Sequence, residues 1–343
     1  MKQIATGISF VIPMYNSARY IERCLGSFRS DPRVEVIVVD DGSSDNSCQI
    51  VEDFIRSSNV NIRLIKNPHG GTSRTRQTGI RQAKFNYISF VDSDDTVIFD
   101  NMIKLFEAVV KHQVPLGIGR DALVLLNGAR VSSRRRGNGV KDLSKNHRLL
   151  AENILMFHGK VFAKDLIRKC YTTDHSVHED YQTMPMVFAA AGRWYNSNLR
   201  VYRTFQQPDS MIMTFLHVSN ADALVKTVAA AVELSKTAQN MGLFQKYQPE
   251  FEAILILPFV ELTANTHLSP KLHQKRKLYQ IIVSILTIIV PNWRANRYYR
   301  RLFWGFEWNH RIYNLFFHFF VSRLEPIDDS LPNLIEKYKK LLK

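Results

Sequence analysis

Cysteine is scarce in this chain of 343 residues: Cys24, Cys48 and Cys170 are the only three. Their spacing matches neither a zinc site nor a disulfide framework, which fits a reducing, cytosolic setting. Glycine fingerprints are missing too. Gly117-Ile118-Gly119 lacks the third glycine of a dinucleotide-binding turn, so a nicotinamide site is disfavoured. No apolar run approaches the roughly 20 residues that a bilayer-spanning helix needs. The strongest, Ile281 to Val290, reads as a core or interfacial helix. Met1 to Ile12 is too short in its apolar part for a signal peptide and lacks a cleavage site. Internal repeats, low-complexity tracts and recognised nucleic-acid motifs do not occur.

Positive charge is abundant and uneven. The formal net charge is +15, and residues 271–343 hold 14 Lys/Arg against 5 Asp/Glu. A second basic stretch, Arg130 to Arg148, includes Arg134-Arg135-Arg136 and Lys141, with Asp142 its only acid. Such surfaces attract anionic lipid, nucleic acid or an acidic substrate. The tail interleaves these charges with aromatics, among them Trp293, Tyr298, Tyr299, Phe303, Trp304 and Phe306. That is the composition of an interfacial helix on an anionic membrane, or of a helical subdomain packing its aromatics internally or in a dimer.

The first ninety residues alternate between two periodicities. Ile8 to Ile12, Val34 to Val39, Asn61 to Ile65 and Tyr87 to Val91 read as strands. Ala18 to Phe28 (capped at Asn16-Ser17), Cys48 to Ile55 and Ser73 to Ala83 read as helices. Alternation of this kind predicts an α/β fold with a mostly parallel sheet covered by helices. Acidic clusters then close strands two and four on one carboxyl edge, where such sheets bind ligands. They are Asp40-Asp41-Gly42-Ser43-Ser44-Asp45 and Asp92-Ser93-Asp94-Asp95. Three carboxylates within four residues repel one another unless water or a cation screens them. A hard divalent cation carrying a phosphorylated ligand is one reading; a solvated turn with a helix cap is the other. Asp45 is taken as an ordinary turn and cap residue.

These fragments, in this order, resemble the inverting glycosyltransferases of family 2, with the GT-A nucleotide-sugar fold. The resemblance runs from about Ile8 to about Ser210. Pro13-Met14-Tyr15-Asn16 resembles the motif whose Pro13 and Tyr15 equivalents line the nucleobase pocket. Val39-Asp40-Asp41-Gly42-Ser43 resembles the turn whose second acid, here Asp41, reads uracil. Asn67 and Arg76 fall where relatives hold the nucleotide. Asp92-Ser93-Asp94 resembles the DxD motif, implying a sugar or ribose contact from Asp92 and Mn²⁺ or Mg²⁺ held by Asp94, with Asp92 and Ser93 beside it. His178-Glu179-Asp180 precedes an expected helix, Tyr181 to Ala191, and resembles the Glu-Asp motif, which makes Asp180 the base. Glu179 alone reads as a helix N-terminal acid paired with the dipole. His158 and Lys160 match a segment bordering the acceptor, or form a solvated loop. His217 reads as structural.

Departures accompany the matches. Thr75-Arg76-Gln77 keeps only the arginine of the family's Ala-Arg-Asn. In Tyr202 to Ser210, taken as a loop over the diphosphate, Arg203 is offset and Gln206-Gln207 replaces the expected positive charge. Arg193-Trp194 lacks the preceding glutamine of the processive synthases, because Ala190 stands there.

The resemblance implies a GT-A domain over 1–216, with a mixed central sheet: 1–112 for nucleotide and metal, 113–216 for the acceptor and base. A basic, aromatic-rich helical region, 217–343, follows. The implied function is metal-dependent, inverting transfer of one sugar from a UDP-sugar to a glycan or lipid-linked glycan, as in bacterial surface-polysaccharide assembly. The setting would be cytoplasmic or peripheral on the inner face of the membrane. Residues 271–343 would meet the anionic surface, nucleic acid is not an expected partner, and a homo-oligomer is compatible with the sequence. Rival readings are a nucleotidyltransferase, for which no Gly-rich, Lys-bearing N-terminal loop is present, and a non-catalytic glycan- or membrane-binding relative.

Overall fold

A computed structural model describes residues 6–132, 137–152, 156–171, 179–207, 221–268, 275–298 and 321–342. The chain divides into two compact units, 1–144 with 155–207, and 145–154 with 208–343. The sequence places the boundary at 216/217; the units part at 207/208, and the short segment 145–154 goes with the second.

The first unit is built on a mixed ten-stranded sheet. Strands β1 (Ile8–Met14), β2 (Val34–Asp40), β3 (Ile62–Lys66) and β4 (Tyr87–Phe90) are parallel, in the order β3-β2-β1-β4. Every residue of β1 and β2 is buried, as continuous apolar runs covered on both faces require. Pro13 is tolerated within β1 because β4 pairs with it only as far as Val11, so no ladder partner waits for its missing N–H. Helices α1 (Ile21–Leu25), α2 (Ser47–Ser57) and α3 (Thr72–Gln82) connect these strands. At Gly79 of α3, a Cβ would lie 2.2 Å from Val11 Cγ1, so the helix rests on β1 as closely as a glycine permits.

Beyond β4 come β5 (Thr96–Val97), α4 (Phe99–Lys111), β6 (Leu116–Val124), β7 (Arg130–Ser132), β8 (Gly139–Asp142) and, in the second unit, α5 (Arg148–Ala151). The first unit then closes with β9 (Lys160–Ala163), α6 (Lys164–Cys170), α7 (Glu179–Ala191) and β10 (Arg193–Phe205). Strand β9 runs antiparallel between β4 and β6, and β10 lies parallel to β6. The carboxyl ends of β1, β2, β3, β4, β6 and β10 therefore share one edge.

Three local expectations change. Helix α1 is shorter than 18–28, and Asn16-Ser17 does not cap it. Instead Asn16 Oδ1 accepts the Ser44 N–H (2.8 Å), while the Asp45 carboxylate takes the Ala18 and Ser47 N–H groups (3.0 Å each). The stretch read as a loop from 202 is still strand as far as Phe205, and Arg203 pairs in register with Thr96 and Ala122. Gly117 and Gly119 lie within β6, where a Cβ would strike Val109 and Val201, so their role is packing.

The second unit is helical: Ala221–Asn240, Leu243–Lys246, Gln248–Leu268, Lys275–Ile289 and Leu331–Leu342, with α5. The apolar run from Ile281 is core, with Ile281, Ile282, Val283, Ile285 and Leu286 all buried. Trp293 and Tyr298 are buried as well, Trp293 donating to Thr287 Oγ1 at 3.1 Å. No helix among the described residues is long and apolar enough to cross a membrane. The aromatics from Tyr299 to Phe320, and likewise Arg134-Arg135-Arg136, His178, Ser210 and His217, lie outside the described residues.

Candidate active site

Strand register brings the first residues together. Met14, Asp40 and Lys66 stand side by side at the ends of β1, β2 and β3, so Tyr15, Asp41 and Asn67 each follow one residue beyond the same edge. Pro13 is buried just behind them. Asp41 is also buried, and its two carboxylate oxygens accept the Gly70 and Gly71 N–H groups at 2.9 Å each. His69 Nδ1 lies 3.0 Å from the same carboxylate, and the His69 ring packs 4.7 Å from that of Tyr15, which is 49% exposed. Asp40 accepts the Gly42 and Ser43 N–H groups at 3.2 Å, and Gly42 turns the chain there with φ +76°. Asn67 donates through Nδ2 to Thr78 Oγ1 at 3.1 Å and through its backbone to the Asp40 carbonyl at 2.9 Å. This corner is fixed by its own hydrogen bonds.

The end of β4 is different. Asp92 accepts from Arg76 Nη2 at 2.7 Å, and Ser93 Oγ meets Ser17 Oγ at 2.8 Å. Asp94 is partly buried; burial, with the charge of Asp92 added, pushes its carboxyl up. Its carbonyl accepts from Arg23 Nη2 at 2.5 Å, and that guanidinium lies 3.8 Å over the Phe205 ring. Asp95 is buried and pushed up to about 8, by burial first and then by Asp92 and Asp94. The Phe205 N–H donates to it at 2.9 Å. The Tyr202 hydroxyl accepts the Asp92 N–H at 2.9 Å and also bonds Asp95. Strand β10 thus ties both flanks of the acidic turn.

Arg76 links this turn to α7. Its guanidinium is buried, packs 5.2 Å from the Phe157 ring, and pairs with both Asp92 and Glu179. Glu179 is therefore no simple dipole acid: it is buried, ion-paired to Arg76, and accepts the Tyr171 hydroxyl at 2.6 Å. Asp180, the next residue, comes within electrostatic reach of Arg76, Asp92 and His158. Burial pushes its carboxyl up and Asp92 adds to this, while Arg76 and His158 act in the opposite sense. His158 stacks on Tyr202 (4.7 Å, 12°), with Nε2 3.9 Å from Asp121 Oδ2. Lys160 is buried, and its ammonium donates to the carbonyls of Met156 and, at 3.5 Å, His158.

The structure gathers Asp92, Ser93, Asp94, Arg76 and Asp180 around the ends of β4 and α7. Tyr15, Asp41 and Asn67 form a neighbouring corner on the same edge. Sequence reading missed Tyr202, Asp95, Tyr171 and the ion-pair role of Glu179; all but Tyr171 act through contacts distant in sequence. Asp92 and Asp94 offer hard oxygen donors. Among the described residues no group of three or more His, Cys, Asp or Glu could hold a metal by itself. That donor set fits Mg²⁺ or Mn²⁺ shared with substrate phosphates and water, and does not fit zinc.

Residues 9–163 match the family described as Glycosyl transferase family 2. Over that segment the chain is similar to the family 2 glycosyltransferases. Streptococcus pneumoniae glycosyltransferase GlyA is 33% identical to it over 114 residues, 33% of this chain and 16% of GlyA. Staphylococcus aureus poly(ribitol-phosphate) β-N-acetylglucosaminyltransferase TarS is 37% identical over 93 residues, 26% of this chain and 16% of TarS. The aligned segments are a minor part of those relatives' length. The fold extends further than the sequence match. A crystal structure of TarS 1–349 aligns over 98% of this chain and 90% of its own, with TM-score 0.62 and 18% identity. A TarS 1–349 complex with UDP-GlcNAc aligns over 86% of this chain and 92% of its own, with TM-score 0.53 and 20% identity. The first unit thus has the GT-A architecture, with its acidic turn at the sheet's carboxyl edge.

Proposed function

We propose that the protein is a metal-dependent, inverting glycosyltransferase that moves one sugar from a UDP-sugar to a hydroxyl of a glycan or lipid-linked glycan in bacterial surface-polysaccharide assembly. The observation that carries this reading is the Arg76 bridge. It joins Asp92 of the acidic turn to Glu179 and so brings the neighbouring Asp180 to that turn. The UDP-GlcNAc complex of TarS and the activity in its name support the donor and product class. The match of GlyA and TarS to this chain is partial, so acceptor and sugar are part of the proposal.

In this reading Tyr15 and Asp41 hold the uracil, and Asn67 braces the corner. A divalent ion at Asp92 and Asp94 would supply Lewis-acid stabilisation of the charge that builds on the departing diphosphate. Asp180 accepts the proton of the acceptor hydroxyl as that oxygen attacks the anomeric carbon. The bond to UDP breaks on the opposite face and its electron pair leaves with the diphosphate. One displacement inverts the centre and needs no enzyme nucleophile. Residues 271–343 would hold the protein to an anionic membrane surface beside a lipid-linked acceptor.

Calorimetric titration with a panel of nucleotide sugars, in Mn²⁺ and in EDTA, tests this. We expect metal-dependent binding of a UDP-sugar that is lost in Asp94→Ala and kept in Asp180→Asn, with transfer falling by orders of magnitude in both. Binding of no nucleotide sugar with metal present would overturn the reading.

A further inference from the structure

The hairpin that joins β6 to β7 presents apolar side chains to solvent. Leu126 is 65% exposed and Val131 52%, the two most exposed large apolar residues among those described. Its tip is nevertheless fixed. The Leu125 N–H donates to the Ala129 carbonyl and the Gly128 N–H to the Leu125 carbonyl, at 2.8 Å each, and Gly128 makes the turn with φ +78°. Gln206, just past β10, donates its N–H to the Val124 carbonyl at 2.9 Å and accepts the Leu126 N–H on Oε1 at 3.3 Å. Leu126 is thus exposed on an ordered turn. Positive charge accompanies it: Arg130 is exposed, and residues 130–141 hold five Lys/Arg and no acid.

Apolar tip and basic flank together select the occupant. A second copy would bring another cationic hairpin on a chain of net charge +15. Strand β7, three residues long, is also too short an edge to pair firmly with another strand. Single-stranded nucleic acid stacks on aromatic side chains, and residues 125–132 contain none. An anionic bilayer answers both features, its acyl boundary taking the apolar groups and its phosphates the arginines. We propose that the β6–β7 hairpin docks on an anionic phospholipid surface, with Leu126 and Val131 entering the acyl boundary and Arg130 at the phosphates. Strand β6 ends on the carboxyl edge that bears the acidic turn, so docking there turns the candidate site toward the bilayer. This contact belongs to the first unit, is separate from any made by residues 271–343, and stands whatever group the site transfers.

The test places an environment-sensitive fluorophore on Ala129→Cys in the full chain and adds vesicles of phosphatidylcholine, alone or mixed equally with phosphatidylglycerol. Cys24 and Cys170 are buried and Cys48 is half-buried, so the same labelling of the parent protein supplies the background. With mixed vesicles, and not with phosphatidylcholine alone, emission should shift to the blue and be quenched by lipids brominated in their acyl chains. Adding Leu126→Ser and Val131→Ser together should abolish the shift and weaken vesicle affinity by about tenfold, since two apolar side chains no longer leave water. Arg130→Ser should weaken it by about fivefold, the effect of one interfacial cation. Both sets of exposed substitutions should leave Tm unchanged. An unshifted probe on vesicles that the protein still binds would overturn the proposal and put the contact elsewhere in the chain. Binding to no vesicle, or equal shifts with neutral and anionic vesicles, would also overturn it. A lipid-free shift that grows with protein concentration would mark a contact between copies instead.

Discussion

Two acidic turns close neighbouring stretches of the same sheet edge, and they are built on opposite principles. At the end of β2, Asp40 and Asp41 are buried and their oxygens are filled by the N–H groups of Gly42, Ser43, Gly70 and Gly71. At the end of β4, Asp94 and Asp95 are pushed up by burial and by the charge of Asp92, and Asp95 also by that of Asp94. One turn uses carboxylates as mortar for a glycine loop. The other keeps carboxylates at a cost that a bound cation would relieve. Similar strings of aspartate thus carry different duties, and the partner of each oxygen decides which.

The comparison breaks most sharply at Asp94. With Asp94→Ala, transfer should fall by about three orders of magnitude, the scale of several kcal/mol supplied by a metal Lewis acid. Uridine alone should bind that variant as it binds the parent. Asp41→Ala should do the reverse, losing uridine in Mn²⁺ and EDTA alike. It should also cost about 2–4 kcal/mol of stability in denaturant titration, because two loop N–H groups lose their acceptor.

A smaller effect follows from Asp95. Its carboxyl binds a proton in the folded chain that the unfolded chain releases, so stability falls as pH rises from the ordinary carboxylate range through about 8. Scanning calorimetry in EDTA should show Tm declining across that window, and Asp95→Asn should flatten the decline. Mn²⁺ should raise Tm more at the alkaline end, since the cation competes with protons for Asp94. Smallest of all, Tyr202→Phe removes the hydroxyl between Asp92 and Asp95. It should cost about 1 kcal/mol and weaken metal-dependent donor binding severalfold, leaving uridine binding intact.

The first four strands were legible because each is a short apolar run stopped by polar turn residues, and their parallel order followed from the helices between them. Asp92, Asp94 and Asp41 were legible from their place at strand ends. Glu179 was not, because its meaning depends on Arg76, which reaches it across the fold. β10 was misread beyond Tyr202, since Arg203, Thr204 and Phe205 carry no alternation that separates strand from loop. Tyr202 gave no signal either: its hydroxyl matters only because β10 ends beside β4.

Gly79 gives the site a ruler. A single missing methyl sets how near α3 lies to β1, and α3 carries Arg76, the strut between the two acidic motifs. A Cβ at that position would sit 2.2 Å from Val11 Cγ1, so a side chain there would press α3 away from β1 and shift Arg76 relative to its two anchors. The bridge between Asp92 and Glu179 is thus gauged one turn along the helix, by an atom that is not there.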